Sequence, residues 1–443
     1  MMPTRPITRI VAVTCKVLLM MYAISAGAAE TDAAADQTTE ANPLPPRLPL
    51  NDLRIFVQAF DQVSDAYVEE IDDRTLLENA IRGMLSQLDP HSAYLDQASF
   101  NRLQETTTGK YGGLGLEVDM NDSFVRVISP MDDTPAERAG ILPGDLIIKL
   151  DDKPVKGQSL AESISTMRGE PGTEIIVTIL RDGESQPLDF NITREVISVA
   201  SVRNRMLDTG YGYIRIAQFH TETGPEVGKA IDSMREEGPL LGLVLDLRNN
   251  PGGVLQSAVA VADLFVEDGM LVYTSGRLDN ARQEFRATGN DVTGNVPIVV
   301  LVNEGSASAS EIVAGALQDH DRAVIMGNRT FGKGSVQTIL PLNEKKAIKL
   351  TTALYFTPSG RSIQAEGITP DIRVDRSQVT RLDRNRLRVR ESDLHNHLNQ
   401  SDEADAENPS VEDLAITDFQ LNEALTLLRG YNILADSGGS KQN

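Results

Sequence analysis

The chain has 443 residues, 40% hydrophobic and 24% charged, which suits a globular protein of about three domains at roughly 150 residues each. Its 64 acidic residues against 42 Lys and Arg leave a net charge of −22, which repels phosphate backbones and argues against a nucleic-acid partner. One Cys and five His exclude a disulfide framework and a Cys-rich zinc site, and neither a metal nor another cofactor is implied.

Arg5 and Arg9 precede an apolar stretch at 17–25, and Ala26-Gly27-Ala28 gives the small-x-small pattern of a cleavable signal peptide over residues 1–28. Lys16 leaves about nine apolar residues, too few to span a bilayer. Cleavage removes Cys15, so the mature chain suits an oxidising periplasm and holds no thiol nucleophile. The expected location is therefore periplasmic, with membrane association if the leader is retained. Residues 29–47, small, polar and Pro-terminated, read as a disordered linker.

Over 48–108, Leu53, Phe56, Val57 and Phe60, then Leu76, Leu77, Ala80, Ile81, Met84 and Leu85, recur at helical spacing and predict a small helical domain. Asp89-Pro90 breaks its second helix. His91, in the turn that follows, reads as a structural cap. Over 109–197 the texture changes to short strands punctuated by glycine. Strands are predicted at 146–150 and 174–180, and helices at 133–139 and 159–167. The run A-x-x-A-G-I-x-x-G-D from Ala136 to Asp145 resembles a PDZ domain in its circularly permuted bacterial form. In that setting the turn Gly112-Gly113-Leu114-Gly115-Leu116 exposes backbone N–H groups that can capture a C-terminal carboxylate while the peptide adds as a strand. It is not a dinucleotide fingerprint, because Val118 stands where the last glycine would be.

Over 198–375, apolar strands alternate with helices, predicting an α/β core with a partly parallel sheet. Its strands are expected at 241–247, 296–302, 323–326 and 347–355, and its helices after 248–253 and at 307–317. The remainder, 376–443, is a charged segment with a terminal helix at 418–428 that ends at Arg429-Gly430.

With no usable thiol and few His, hydrolytic chemistry here needs a hydroxyl nucleophile and a base. Residues 303–311, N-E-G-S-A-S-A-S-E, lie where a helix N-terminus follows a buried strand, a favourable place for developing negative charge. Ser306, Ser308 and Ser310 all compete for the role, and all three would also serve as caps or small packing residues. Residues 327–337, G-N-R-T-F-G-K-G-S-V-Q, imitate a phosphate loop, but Gly334 stands where Ser or Thr must hold magnesium. His320-Asp321 cannot complete a triad with Ser308, because the intervening helix places His320 about 18 Å away at 1.5 Å per residue.

Together these segments resemble the carboxyl-terminal processing, or tail-specific, proteases of the Ser/Lys class. G-M-L-S-Q-L-D-P-H-S-A-Y-L-D, Y-G-G-L-G-L-E-V, D-L-R-N-N-P-G-G, G-S-A-S-A-S-E and F-G-K-G-S-V-Q appear in the family's order between Val57 and Gly430. The resemblance implies a multidomain α/β fold: a helical N-terminal domain, a PDZ domain and a crotonase/Clp-like α/β serine protease core. It implies a secreted serine endopeptidase that takes polypeptides by the C-terminus, with Ser308 as nucleophile, Lys333 as base and Gln337 orienting the lysine. It also implies an oxyanion hole from the N–H of Ala309 and of Gly252 or Gly253, with Asp246 and Asn250 fixing that loop. Lys333 must be neutral to accept a proton, against an ordinary lysine pKa of about 10.4. It is therefore expected to be enclosed, its amine facing Ser308 and Gln337. A PDZ ligand is expected both to recruit substrate and to hold the PDZ domain away from the active site, and Arg168, closing the second PDZ helix, is a candidate regulatory contact with the protease core in that open state; a simple helix C-terminal cation is the alternative. Implied partners are protein substrates with apolar C-termini, an activator or adaptor protein, and further copies of the chain. A PDZ scaffold or holdase on an inactive protease core is the alternative function, and a crotonase-like acyl-transfer enzyme fits poorly with a secretory leader.

Overall fold

The computed structural model describes residues 49–121, 124–289, 291–377, 414 and 417–439. The signal peptide expected at 1–28, the linker at 29–47 and most of the charged stretch after 376 lie outside the described residues. The chain divides into two compact units between Asp73 and Arg74. The first holds α1 (Leu50–Ala66), in which Leu53, Phe56, Val57 and Phe60 form an apolar stripe at helical spacing and no side chain is buried.

The second unit follows with α2 (Asp73–Ser86), β1 (Ala93–Leu95) and α3 (Gln97–Thr108). Asp96 caps α3 by accepting from the Ser99 N–H at 2.9 Å, and Gly109 ends it in the left-handed conformation. The PDZ-like segment then runs β2 (Lys110–Gly113), β3 (Leu116–Asn121), β4 (Phe124–Pro130), α4 (Pro135–Arg138), β5 (Leu146–Leu150), β6 (Lys153–Pro154), α5 (Leu160–Met167), β7 (Glu174–Leu180), β8 (Leu188–Thr193) and β9 (Glu195–Ser198). Its sheet is ordered β3-β4-β5-β7-β8, leaving β3 at an edge, and the flanking strands β2 and β9 pair antiparallel to close the segment. Ser159 starts α5 with a reciprocal capping box to Glu162.

The core comprises β10 (Val202–Asp208), β11 (Tyr211–Ile216), α6 (Thr223–Glu237), β12 (Gly242–Asp246), α7 (Leu255–Asp263), β13 (Met270–Gly276), β14 (Gln283–Arg286), β15 (Ile298–Val302), α8 (Ala309–Asp319), β16 (Val324–Gly327), β17 (Ser335–Asn343), β18 (Lys346–Phe356) and β19 (Ile372–Arg373), followed by the terminal helix α9 (Phe419–Gly439). One sheet is ordered β10-β11-β12-β15-β16-β19, parallel from β11 onward. Every residue of β12 and β15 is buried, which is why both read as continuous apolar runs. Their alternate side chains serve two cores. Leu243, Leu245, Ile298 and Val300 pack with α6, α7 and α8, while Val244, Val299 and Leu301 pack with Leu421, Leu425 and Leu428 of α9.

The second core sheet, β1-β18-β13-β14 with β17 on β18, is antiparallel. Helical spacing over 48–108 did not reveal β1, which is only three residues long and is ordered by its pairing with β18. The terminal helix passes the end predicted at Gly430. A lone helical glycine costs only about 1 kcal/mol, and Asn432 Nδ2 donates to the Leu241 carbonyl at 2.9 Å beyond it.

Candidate active site

Three loops meet at the C-terminal ends of β12, β15 and β16; the first two lead into the N-termini of α7 and α8, and the third carries Lys333 into β17. The turn after β15 is tied to the turn after β12 by a reciprocal amide pair: Asn249 N–H donates to Asn303 Oδ1 at 2.8 Å, and Asn303 Nδ2 donates to Asn249 Oδ1 at 2.9 Å. The Ala307 N–H adds a bond to the Asn250 carbonyl at 3.0 Å.

This arrangement separates the three serines. Ser306 Oγ donates to the Leu247 carbonyl at 2.7 Å and Ser310 Oγ to the Asn250 carbonyl at 3.0 Å, both fully buried. Ser308 alone of the three lines a cavity of about 610 Å³, together with Ile312, Lys333, Gln337 and Tyr355. It stands just ahead of α8 at φ 55°, a conformation costly for a residue with a Cβ and frequent where chemistry is done.

Glu311, fully buried, joins the helix start to the lysine loop. Its Oε2 accepts from the N–H of Ser308 at 2.7 Å and of Lys333 at 2.9 Å, and its Oε1 from Gly332 N–H at 2.7 Å and Thr330 Oγ1 at 2.6 Å. Lys333 Nζ donates to Gln337 Oε1 at 2.9 Å. Burial pushes the Lys333 ammonium below the usual lysine range, and the positive charge of Lys349 pushes the same way, against the Glu311 carboxylate. Tyr355 donates its hydroxyl to the Lys333 carbonyl. Burial, and after it the Glu311 charge, drives that phenol well above its ordinary pKa, so it stays protonated, although the Ser308 hydroxyl acts in the opposite direction.

The lysine is thus half enclosed with its amine on Gln337, as expected, but no hydrogen bond joins it to Ser308 among the described residues. Gln337 takes the amine, and Ser308 and Lys333 share the cavity without a direct bond. Apo sites commonly tighten only around substrate.

The glycine turn 252–253 lies against this serine. A Cβ on Gly252, whose φ is 99°, would come within 2.7 Å of both the Ala307 carbonyl oxygen and Ser308 Cβ. The Gly252 N–H is itself taken by Asn250 Oδ1 at 2.9 Å, while Asn250 Nδ2 donates to the Ile216 carbonyl. Gly253 bridges Phe219, whose N–H and C=O bond to Gly252 and Val254; this leaves the Gly253 N–H outside the bridge. Neither it nor the Ala309 N–H has an acceptor among the described residues. Asp246 holds the same loop from below through Arg248 at 2.7 Å, and Arg248 continues to Asp418 of the α9 region at 2.7 Å.

Residues 210–374, which contain this whole constellation, match the peptidase family S41; residues 112–192 match the PDZ domain, and 14–99 the activating protease CtpB N-terminal domain. The carboxy-terminal-processing protease of Bartonella bacilliformis is 48% identical over 381 residues, covering 85% of this chain and 88% of that one. The chain belongs to the carboxy-terminal processing protease family. It is a serine protease with a PDZ domain and a helical N-terminal region. The carboxy-terminal processing protease CtpA of Bacillus subtilis is 36% identical, covering 73% of this chain and 69% of its own. Among solved structures, the photosystem II D1 C-terminal processing protease is 33% identical, covering 73% and 92% respectively, with a TM-score of 0.44.

In this protease the PDZ turn and the edge strand β3 face α5 across a cavity of about 180 Å³ lined by Gly113, Leu114, Gly115, Leu116, Val118, Ile164 and Met167. The N–H groups of Leu114 and Gly115 have no acceptor among the described residues. Gly112 lies outside that cavity, paired with Val196 in the β2–β9 ribbon. Among the described residues Arg168 pairs with Glu105 of α3 at 2.8 Å and stacks over the Tyr111 ring at 4.5 Å. Sequence reasoning singled out none of Glu311, Tyr355, Thr351 or Lys349, and it gave His91 only a structural role. The charge of Lys333 acts on His91: after burial, it is the largest influence holding that imidazole below the usual histidine range.

Proposed function

We propose that the protease is an exported, periplasmic endopeptidase that seizes polypeptides by their C-termini and cuts them with Ser308 and Lys333. The observation that carries this reading is the single cavity holding Ser308, Lys333 and Gln337 while Ser306 and Ser310 are tied to backbone carbonyls. Neutral Lys333 takes the Ser308 proton as Oγ bonds to the scissile carbonyl carbon. The Ala309 and Gly253 N–H groups receive the oxyanion, with Gly252 keeping the approach open. Lys333 then returns the proton to the leaving amine. A water attacks the acyl ester, Lys333 takes its proton, and the product carboxylic acid departs as Ser308 regains its hydrogen. Burial and Lys349 both favour the neutral lysine that this requires.

The free N–H groups of Leu114 and Gly115 suit a substrate carboxylate, and Val118, Ile164 and Met167 suit apolar tail side chains. Digestion of an unfolded protein such as β-casein tests the chemistry. Wild type should cleave, faster as pH rises and the lysine deprotonates, whereas Ser308→Ala and Lys333→Ala should not; cleavage by Ser308→Ala overturns the assignment. For location, N-terminal sequencing of periplasmic material should begin at Ala29, and exclusive recovery from the cytosol refutes export.

A further inference from the structure

Resting on the Ser308–Lys333 reading, we infer that Asp89 and Thr351 are positioning residues that fix which end of the Gln337 amide faces the base. Gln337 Oε1 accepts from Lys333 Nζ at 2.9 Å, and Nε2 donates to Ser335 Oγ at 2.9 Å and towards Thr351 Oγ1 at 3.4 Å. The Thr351 hydroxyl has one proton and gives it to Asp89 Oδ1 at 3.1 Å. A hydroxyl whose proton is committed to a carboxylate can only accept from its other neighbour, so the amide nitrogen must face Thr351 and the oxygen must face the lysine. Ser335 can donate or accept, and sets no polarity alone.

Asp89 is held for this task by the turn that precedes β1. It accepts from His91 N–H at 2.8 Å, Ser92 N–H at 2.9 Å and Ser92 Oγ at 2.6 Å, and Ser92 Oγ accepts from the Thr351 N–H at 3.1 Å. Burial opposes its ionisation, but the bonds from Ser92, His91 and Thr351 outweigh burial and hold the carboxyl at about 2. Thr351 pairs with Gln337 across β17 and β18, so the relay spans two paired strands and a turn about 250 residues away in sequence.

With the amide reversed, its N–H groups would occupy the lysine lone pair that must reach Ser308, and would disfavour the ammonium. Loss of the relay therefore lowers turnover and moves the acid limb of the pH profile downward. The other charged groups around Lys333, namely Lys349 on β18, Glu311 on α8 and His91 in the turn, are untouched by a Thr351 substitution.

The test is the pH dependence of β-casein cleavage by the full chain carrying Thr351→Val, Thr351→Ser or Asp89→Ala, beside Ser308→Ala and Lys333→Ala, with unfolding midpoints for each. Thr351→Val and Asp89→Ala should lose about tenfold or more in kcat, up to the hundredfold or more that a general base contributes, and shift the acid limb to lower pH; asparagine at 89 would keep an oxygen on the Thr351 hydroxyl and is no test. Thr351→Ser should recover most of the rate and the original limb, and Thr351→Val should unfold near wild type because Asp89 keeps its other three donors. Wild-type rate and profile in Thr351→Val overturn the inference, as does a rate loss that follows a falling midpoint with no shift of the limb. Cleavage by Ser308→Ala or Lys333→Ala instead removes the dyad reading beneath it.

Discussion

Glu311→Gln is the sharpest single perturbation of the site. The carboxylate is fully buried, and each oxygen accepts two hydrogen bonds, Oε1 from Thr330 and Gly332 and Oε2 from Ser308 and Lys333. Glutamine has the same shape but only one acceptor oxygen. With its nitrogen on the Oε2 side it faces the two obligate donors of Ser308 and Lys333; on the Oε1 side the Thr330 hydroxyl can turn to accept, but the Gly332 N–H is left without an acceptor. The better orientation therefore loses one charge-assisted bond outright and the charge on the others, for a loss of at least about 1.5–3 kcal/mol. A second signature is electrostatic. The Glu311 charge opposes the downward shift of the Lys333 pKa, so its removal leaves burial and Lys349 unopposed. The acid limb of kcat/KM should move to lower pH, while plateau turnover falls because the Ser308 and Lys333 backbones lose their shared clasp. Urea unfolding followed by circular dichroism gives the first quantity, and β-casein cleavage from pH 5 to 10 gives the second. A Glu311→Gln protein within about 1 kcal/mol of wild type, the cost of an ordinary substitution, and with an unchanged pH profile would refute this account.

Lys349→Met removes the like charge that depresses Lys333, so the acid limb of kcat/KM should move to higher pH with the alkaline plateau retained; a limb that stays or moves down contradicts the assigned cause. Gly252→Ala places a Cβ 2.7 Å from the Ala307 oxygen and Ser308 Cβ at a φ of 99°, and should cost about a hundredfold or more in kcat with little change in KM, on the scale of a lost oxyanion donor. Undiminished kcat in that variant would place the glycine turn outside the chemistry. Arg248→Ala leaves the buried Asp246 with Arg215 at 3.3 Å, the Tyr213 hydroxyl and the backbone N–H of residue 248, removes the guanidinium that pairs with it most closely, and breaks the tie to Asp418. It should destabilise the protein by about 3 kcal/mol and expose α9 to added protease, whereas an unchanged digestion pattern would show that α9 is held by its apolar face alone.

Much of the fold was legible because burial imposes local patterns. β5 and β7 lie where the strands were read, at 146–150 and 174–180, and β12 and β15 within the apolar runs that contain them. What escaped was non-local. β1 is Ala-Tyr-Leu, too short to show a period, and exists because β18 supplies its partner. The choice among three serines could not be made from residue type, since each can cap or pack. Only the destination of each hydroxyl separates them: Leu247 and Asn250 carbonyls for two, the cavity for the third. Glu311 was visible only as the last letter of a motif, because a wholly buried carboxylate is rare enough that sequence favours a surface position. The partners of Arg168 are 63 and 57 positions away, beyond any spacing rule.

The groups proposed to react are held chiefly by polar neighbours that do not. Asn250 accepts the Ala307 N–H and the Ser310 hydroxyl on its carbonyl while its side chain holds Gly252 and Ile216, so the glycine turn and the start of α8 form one piece. Glu311 adds the Lys333 backbone to that piece. With three backbone segments fixed to one another, the remaining freedom lies in the Lys333 side chain, whose amine rests on a glutamine amide rather than on Ser308. The step from this arrangement to a reacting one is therefore a rotation about side-chain bonds, which requires no break in the network of Asn250 and Glu311. The Gln337 amide, held by Thr351 and Asp89, is the group that decides where that rotation comes to rest.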